Sequence, residues 1–351
     1  MTLKPAPEAV DVVVVGAGPC GLAAAIAARD WGLTSAVIER GCITESLIHY
    51  PWYMTFFSTA ERLEIGGVPF TIPDPKPTRR QALAYYRHVV RHHRLSVRPY
   101  EEVTAVFNVP GGFEVRSAAV AEHAAGPERV TRARGVIVAT GGFGAPNRLA
   151  LDSGDELYDD RVTHYYRDPF PYFDLDVLVV GGGNSAVETA LELHRSGART
   201  RMIHFGDKFD RGVKPWVLPD IRNRLAEGEI KMHWRSRVVG LGEGVAVLRC
   251  EETAGRETAE EKVVPNDRIL AMTGWRPDTT LLHSLGVVLD PETGVPAHDP
   301  ATMLTNVPGV YVAGVVAAGF DANKIFIENG RDHGALIAEH LSAALDRDLE
   351  T

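Results

Sequence analysis

Two glycine-rich stretches in this sequence have the spacing to hold a dinucleotide. Residues 16–21 read Gly-Ala-Gly-Pro-Cys-Gly and residues 181–186 read Gly-Gly-Gly-Asn-Ser-Ala. Each follows four apolar residues, 12–15 and 177–180, and each opens a segment rich in alanine and leucine. In a strand-turn-helix unit the first glycine of such a turn permits the tight bend, the second lets backbone amides approach a pyrophosphate, and the third allows close helix packing. Gly16, Gly18 and Gly21 fill those places in the first stretch, with Pro19 and Cys20 between the last two. Gly181, Gly183 and Ala186 fill them in the second, around Asn184 and Ser185.

The residues at the far end of each unit separate the two sites. After the first turn a β-branched run ends in Glu39-Arg40, where a carboxylate accepts hydrogen bonds from an adenosine ribose. A βα turn that held no ligand would have no need of that acid. After the second turn the strand 200–205 ends in His204-Phe205 with no acid, and Lys208, Arg211 and Lys214 follow. Nothing there repels a 2′-phosphate, and the cations favour one, so NADPH is expected over NADH.

Cys20 is the remaining group with chemistry of its own. A helix N-terminus favours its thiolate, while a neighbouring pyrophosphate opposes it, so position alone leaves its pKa open. A small buried residue packing the first turn would satisfy the same position. Cys42 and Cys250 form no CxxC pair, metal spacing or disulfide framework with it, and reduced thiols are expected.

These groups need two βαβ units to hold them, and 351 residues suit two domains. Helices are expected over 22–31 and 186–195, and further strands over 135–139 and 310–313 run into glycine turns. Because a strand, a glycine turn and a long helix over 322–345 follow, the first domain is expected to close with C-terminal residues. The fold class is α/β, with two Rossmann-like dinucleotide-binding domains in three-layer ββα form. The first domain comprises 1–170 and 278–351, with the second domain, 171–277, inserted, and the crossings fall at 168–173 and 274–278. The polar stretches 119–132 and 251–262 are expected to be hairpin loops. Hydrophobic content of 45% with 24% charged residues is globular composition, and 37 Lys and Arg against 46 Asp and Glu leave no basic excess for nucleic acid or an anionic membrane. The apolar run 12–15 is too short for a signal or membrane segment, so a cytoplasmic protein is expected, and a homo-oligomer by base rate.

Ala139-Thr140-Gly141-Gly142 and Tyr311-Val312-Ala313-Gly314 resemble the flavin-domain turns of thioredoxin-reductase-like flavoproteins. That resemblance implies FAD at the first site and the nicotinamide at the second. It also exposes three departures. Val315 stands where an acid usually binds the ribityl chain, leaving Asp321 or Asn323 as candidates, Phe205 stands where an arginine is usual, and no redox dithiol lies between the domains. Further blocks, Gly-Pro-Cys-Gly-Leu-Ala-Ala-Ala-Ile at 18–26, Tyr50-Pro51, Met54-Thr55-Phe56-Phe57-Ser58, Ile-Gly-Gly-Val-Pro-Phe at 65–70, Lys-Pro-Trp-Val-Leu-Pro at 214–219 and Ile-Phe-Ile-Glu-Asn-Gly at 325–330, resemble the bacillithiol-disulfide reductase family over nearly the whole chain.

The resemblance implies that Cys20 is the active-site cysteine. NADPH would reduce FAD, Cys20 would attack a small-molecule disulfide, and reduced flavin would resolve the mixed disulfide. Phe56, Phe57 and Ser58 lie in a polar-aromatic loop that suits the flavin face or simple packing, with Thr55 and Ser58 able to hydrogen-bond the flavin's polar edge. Asn323, Lys324 and Ile325, at the start of the last helix, would aim amides at its pyrimidine end, and His333 is either a proton relay or structural. Residues 79–98, with Arg79, Arg80, Arg87, Arg91 and Arg94 among Tyr86, His88, His92 and His93, read as a helix behind a Thr78-x-x-Gln81 capping box. Its basic face suits solvent or the steering of a malate-bearing bacillithiol. The competing functions are a flavin monooxygenase, whose pattern His164-Tyr165-Tyr166 resembles, a ferredoxin or flavodoxin reductase, and a non-enzymatic NADPH sensor.

Overall fold

The computed structural model describes residues 9–120, 128–251 and 260–349. The N-terminal eight residues and the centres of both expected hairpin loops lie outside the described residues. The chain divides into two compact units, one of Met1–Ile48, Tyr53–Ala145 and Trp275–Thr351, the other of His49–Trp52 and Pro146–Gly274.

The first unit is built on Ala9–Val15, whose Val12 to Val14 are fully buried. A strand apolar on both faces belongs inside a parallel sheet. It lies between Ser35–Glu39 and Arg129–Val138, parallel to both, with Val97–Pro99 beyond the first and Val310–Val312 parallel to the second. Val15 stands opposite Ile38 and Val138, and Val138 opposite Val312. The four strands therefore end together, which brings Gly16, Glu39, Ala139 and Ala313 to one edge. Ligands of open α/β sheets bind at such carboxyl ends. The strand expected over 135–139 extends back to Arg129 because its first half pairs antiparallel with Gly112–Ala119, which pairs with Glu101–Val109.

Helix boundaries follow local chemistry. Pro19–Asp30 begins three residues earlier than expected, since Pro19 is preset for the first helical position and Gly18 is its extended N-cap. The basic helix Arg79–His93 has its capping box: Thr78 Oγ1 accepts from Gln81 N–H at 3.3 Å and Thr78 N–H donates to Gln81 Oε1 at 2.8 Å. It stops before the expected end, where Arg94 turns left-handed at φ 53°. Arg98 lies instead in a strand, buried and paired with Glu101 at 3.1 Å. The helix expected over 322–345 is broken into Ile327–Gly330 and His333–Leu349. Asp321 accepts from Asn323 N–H, and Asn329 binds both Phe326 N–H and Lys324 O, so side chains turn the backbone before a helix can form.

In the second unit Asp176–Val180 is the centre of a five-stranded parallel sheet ordered Lys231–His233, Arg199–Ile203, Asp176–Val180, Arg268–Ala271, Val162–Thr163. Val177 and Val179 pack toward Val187, Ala190 and Leu191 of helix Asn184–Arg195. Leu178 and Val180 face Val238, Ala246, Leu248 and Val264 of an antiparallel sheet, Ser236–Gly242, Val245–Cys250 and Glu260–Pro265. Helices, parallel sheet and antiparallel sheet give the three layers. Residues 146–170, assigned to the first domain from sequence, group with this unit, whose sheet Val162–Thr163 joins.

Candidate functional site

The first turn is tight on one side and open on the other. Gly16 has φ 109°, and a Cβ there would lie 2.5 Å from Ala139 O; a Cβ on Gly21 would lie 2.1 Å from Gly16 O. Among the described residues Gly18 and Gly141 have nothing within 4 Å of where a Cβ would stand. That open cradle lies beside the N-terminus of a twelve-residue helix with no side-chain cap, and such an end attracts a pyrophosphate. Glu39 completes it. The carboxylate, 8% exposed, accepts Ala17 N–H at 2.7 Å on one oxygen and Gly41 N–H at 2.8 Å on the other. Burial pushes its pKa up, against the pull of both amides and Arg40. Each oxygen keeps a lone pair for a ribose hydroxyl. These residues fit the ADP half of a flavin dinucleotide. Thr44, fully buried at φ 59°, donates its N–H to Ala17 O and fixes the turn from behind, a contribution that sequence spacing gives no signal for.

Cys20, second in that helix, is 8% exposed. Its Sγ lies where Cβ atoms on Gly314 or Gly330 would come within 2.9 Å, so two glycines from the C-terminal segment make its room. Burial, then the charge of Asp332, pushes the thiol up to about 12. His333 stands next to this packing. Its Nδ1 accepts Gly314 N–H at 3.2 Å, which places the proton of the neutral ring on Nε2. Burial and His298 hold its pKa down against Asp332. The structure thus gives His333 the partner that its sequence context did not show.

The other flavin-side candidates separate. Thr55 and Phe57 are exposed and Ser58 is half-buried, while Phe56 is buried and donates its N–H to Pro77 O. Thr140 is exposed and Gly141, at φ 78°, half-buried. Asn323, Lys324 and Ile325 precede a short helix rather than open the last one, and the amides of Asn323 and Lys324 already donate to Asp321. One carboxylate oxygen of Asp321 thereby serves its own turn. Val315 Cγ1 sits 2.7 Å from where a Cβ on Gly142 would lie, so it packs against that turn. On the basic helix, Arg79 donates to Leu47 O and Ile48 O, while Arg80, Arg87 and Arg91 are exposed.

The second turn repeats the first with a histidine beneath it. Gly181, at φ 144°, would press a Cβ to 2.4 Å from Met272 O, and one on Gly182 would meet the His204 ring at 2.5 Å. His204 is 3% exposed and supports the turn from inside; its buried Nδ1 has no hydrogen-bond partner among the described residues, and burial lowers its pKa. Gly183, the uncapped start of helix Asn184–Arg195, has among the described residues only Asp210 Oδ2, at 3.4 Å, near its missing Cβ. Asn184 Oδ1 accepts Lys214 N–H at 3.0 Å and Gly182 O accepts Asp210 N–H at 3.0 Å, folding the cationic loop over the turn. Ser185, Lys208 and Arg211 are exposed, and Ala186 is buried against the sheet. This cradle fits a second dinucleotide. His164, in the stretch compared with monooxygenases, is used structurally, bonded to Ala271 O and Tyr158 OH.

The sequence profile described as pyridine nucleotide-disulphide oxidoreductase matches residues 13–314. Bacilliredoxin reductase Bdr of Bacillus subtilis is 40% identical over 330 residues, 94% of this chain and 97% of that protein. Among solved structures, bacillithiol disulfide reductase Bdr (YpdA) from Bacillus cereus superposes with a TM-score of 0.89 at 40% identity, covering 96% of this chain and 100% of that one. The Staphylococcus aureus protein of the same description gives 0.86 at 37% identity, over 96% and 99%.

Proposed function

The chain belongs to the pyridine nucleotide-disulphide oxidoreductases, and from that premise we propose that it reduces bacillithiol disulfide with NADPH through FAD, using Cys20 as the attacking thiol. The flavin, when bound, supplies a carrier that accepts a hydride from NADPH and returns two electrons to a disulfide. We assign it to the unit built on Ala9–Val15, held by Gly16, Gly18, Pro19, Gly21 and Glu39, and NADPH to the unit built on Asp176–Val180. The substrate is taken from what the relatives are named for. Free Cys20, Cys42 and Cys250 suit a reducing cytoplasm, and among the described residues no helix is long and apolar enough to cross a membrane.

The observation that carries this reading is the thiol in the first turn, with its space kept by Gly314 and Gly330. Attack by Cys20 Sγ on one sulfur of the substrate breaks its S–S bond, releases one bacillithiol and leaves the other joined to Cys20. The nucleophile must be the thiolate. The burial that pushes the thiol up to about 12 means that its proton has to leave during the encounter. The same burial favours a second reading, a ferredoxin-type reductase that needs no thiol. Anaerobic NADPH oxidation by the purified protein separates them: bacillithiol disulfide is expected to sustain turnover where ferredoxin does not. Turnover with ferredoxin alone would replace the proposal, and consumption of NADPH only in air would point to oxygen chemistry.

A further inference from the structure

The second cradle lacks the expected 2′-phosphate arginine, because Phe205 follows His204 at the end of Arg199–Ile203. The structure shows what occupies that place. His204 turns inward and Phe205 outward, 57% exposed. Ser236–Gly242, the first strand of the antiparallel sheet, starts alongside: Ser236 N–H donates to His204 O at 2.9 Å and Arg235 N–H to Gly206 O at 2.9 Å. This pairing brings the Arg237 guanidinium to 4.9 Å from the centre of the Phe205 ring. Arg237 Nε donates to Glu251 at 3.2 Å, and its two Nη atoms make no hydrogen bond or ion pair among the described residues. Arg235, by contrast, points its Nη2 to Asp207 at 3.5 Å.

We propose that Arg237 reads the 2′-phosphate of NADPH, supplying from the neighbouring strand the guanidinium that Phe205 displaces. The inference rests on the assignment of NADPH to this unit. A guanidinium stacked on an aromatic face is held in one plane, so it loses less freedom on gripping a phosphate than a free side chain would, and its paired N–H groups match two phosphate oxygens. Phe205 then serves as the platform for the arginine. Exposed Lys208 adds a point charge without that geometry.

Calorimetric binding of 2′,5′-ADP and 5′-AMP to the flavin-loaded protein tests this without turnover. The wild type is expected to prefer 2′,5′-ADP by about tenfold or more, as one charge-assisted phosphate grip provides. Arg237→Gln is expected to remove most of that preference while leaving 5′-AMP affinity and the melting temperature in place, and Phe205→Ala to reduce it in part. A preference kept in full by Arg237→Gln would overturn the role of Arg237 and leave the NADPH assignment standing. Absence of any preference in the wild type would overturn both.

Discussion

The sulfur of Cys20 sits where ionisation is penalised. With its pKa pushed up to about 12 by burial and the Asp332 charge, the thiol is protonated at neutral pH. Each unit of rising pH below that value raises the thiolate fraction about tenfold. If Cys20 attacks the disulfide from this environment, kcat/KM for bacillithiol disulfide should climb between about pH 7 and pH 9 without levelling. A stopped-buffer series measures this, and a plateau in that range would show that the reacting thiol is not the one held as it is here. The position of Cys20 was legible in the sequence because the Gly-Pro-Cys-Gly turn names it. Its burial was not, because Gly314 and Gly330 reach it from the far end of the chain. His204 was similarly legible as a strand-end residue, whereas its inward turn beneath Gly182 depends on packing that spacing does not encode.

The strand-turn-helix units are where sequence spoke most clearly. Four strands in register, Val312, Val138, Val15 and Ile38 side by side, bring Gly16, Glu39, Ala139 and Ala313 to one edge. Gly21 is confined by Gly16 O, while Gly18 faces open space with an ordinary φ of −69°. Gly18→Ala should therefore fold and melt like the wild type yet lose most of its flavin, since the added methyl enters only the cradle. Absorbance of the purified variant against protein concentration measures the loss; a full flavin complement would show that the cradle holds no pyrophosphate. Turn chemistry was harder to foresee. One long helix is expected over 322–345, and Asp321 and Asn329 override it by binding backbone groups on either side of Lys324. The basic helix shows both outcomes, with a capping box visible in the sequence at its start and a left-handed Arg94 at its end that nothing local announced.

At the scale of the whole molecule, burial lowers the pKa values of five histidines among the described residues: His93, His164, His204, His233 and His333. Their stabilisation is fully present above the unfolded value of about 6.5 and is lost as pH falls through the lower folded values. Glu39 and Glu188, raised by burial, act oppositely, contributing below about pH 4.5 and losing their contribution as pH rises through their folded values. Five groups against two should make the melting temperature lower at about pH 5.5 than at about pH 7.5; an equal or higher value at the acid end would contradict the burial of these rings. The proposed role of Cys20 as the thiol of a disulfide reductase is tested most directly by steady-state NADPH oxidation with bacillithiol disulfide, comparing the wild type with Cys20→Ser at matched flavin content. Turnover in the wild type that falls about a hundredfold or more in the variant, the loss expected when a nucleophile is removed, is the predicted result. Equal turnover in both would contradict it.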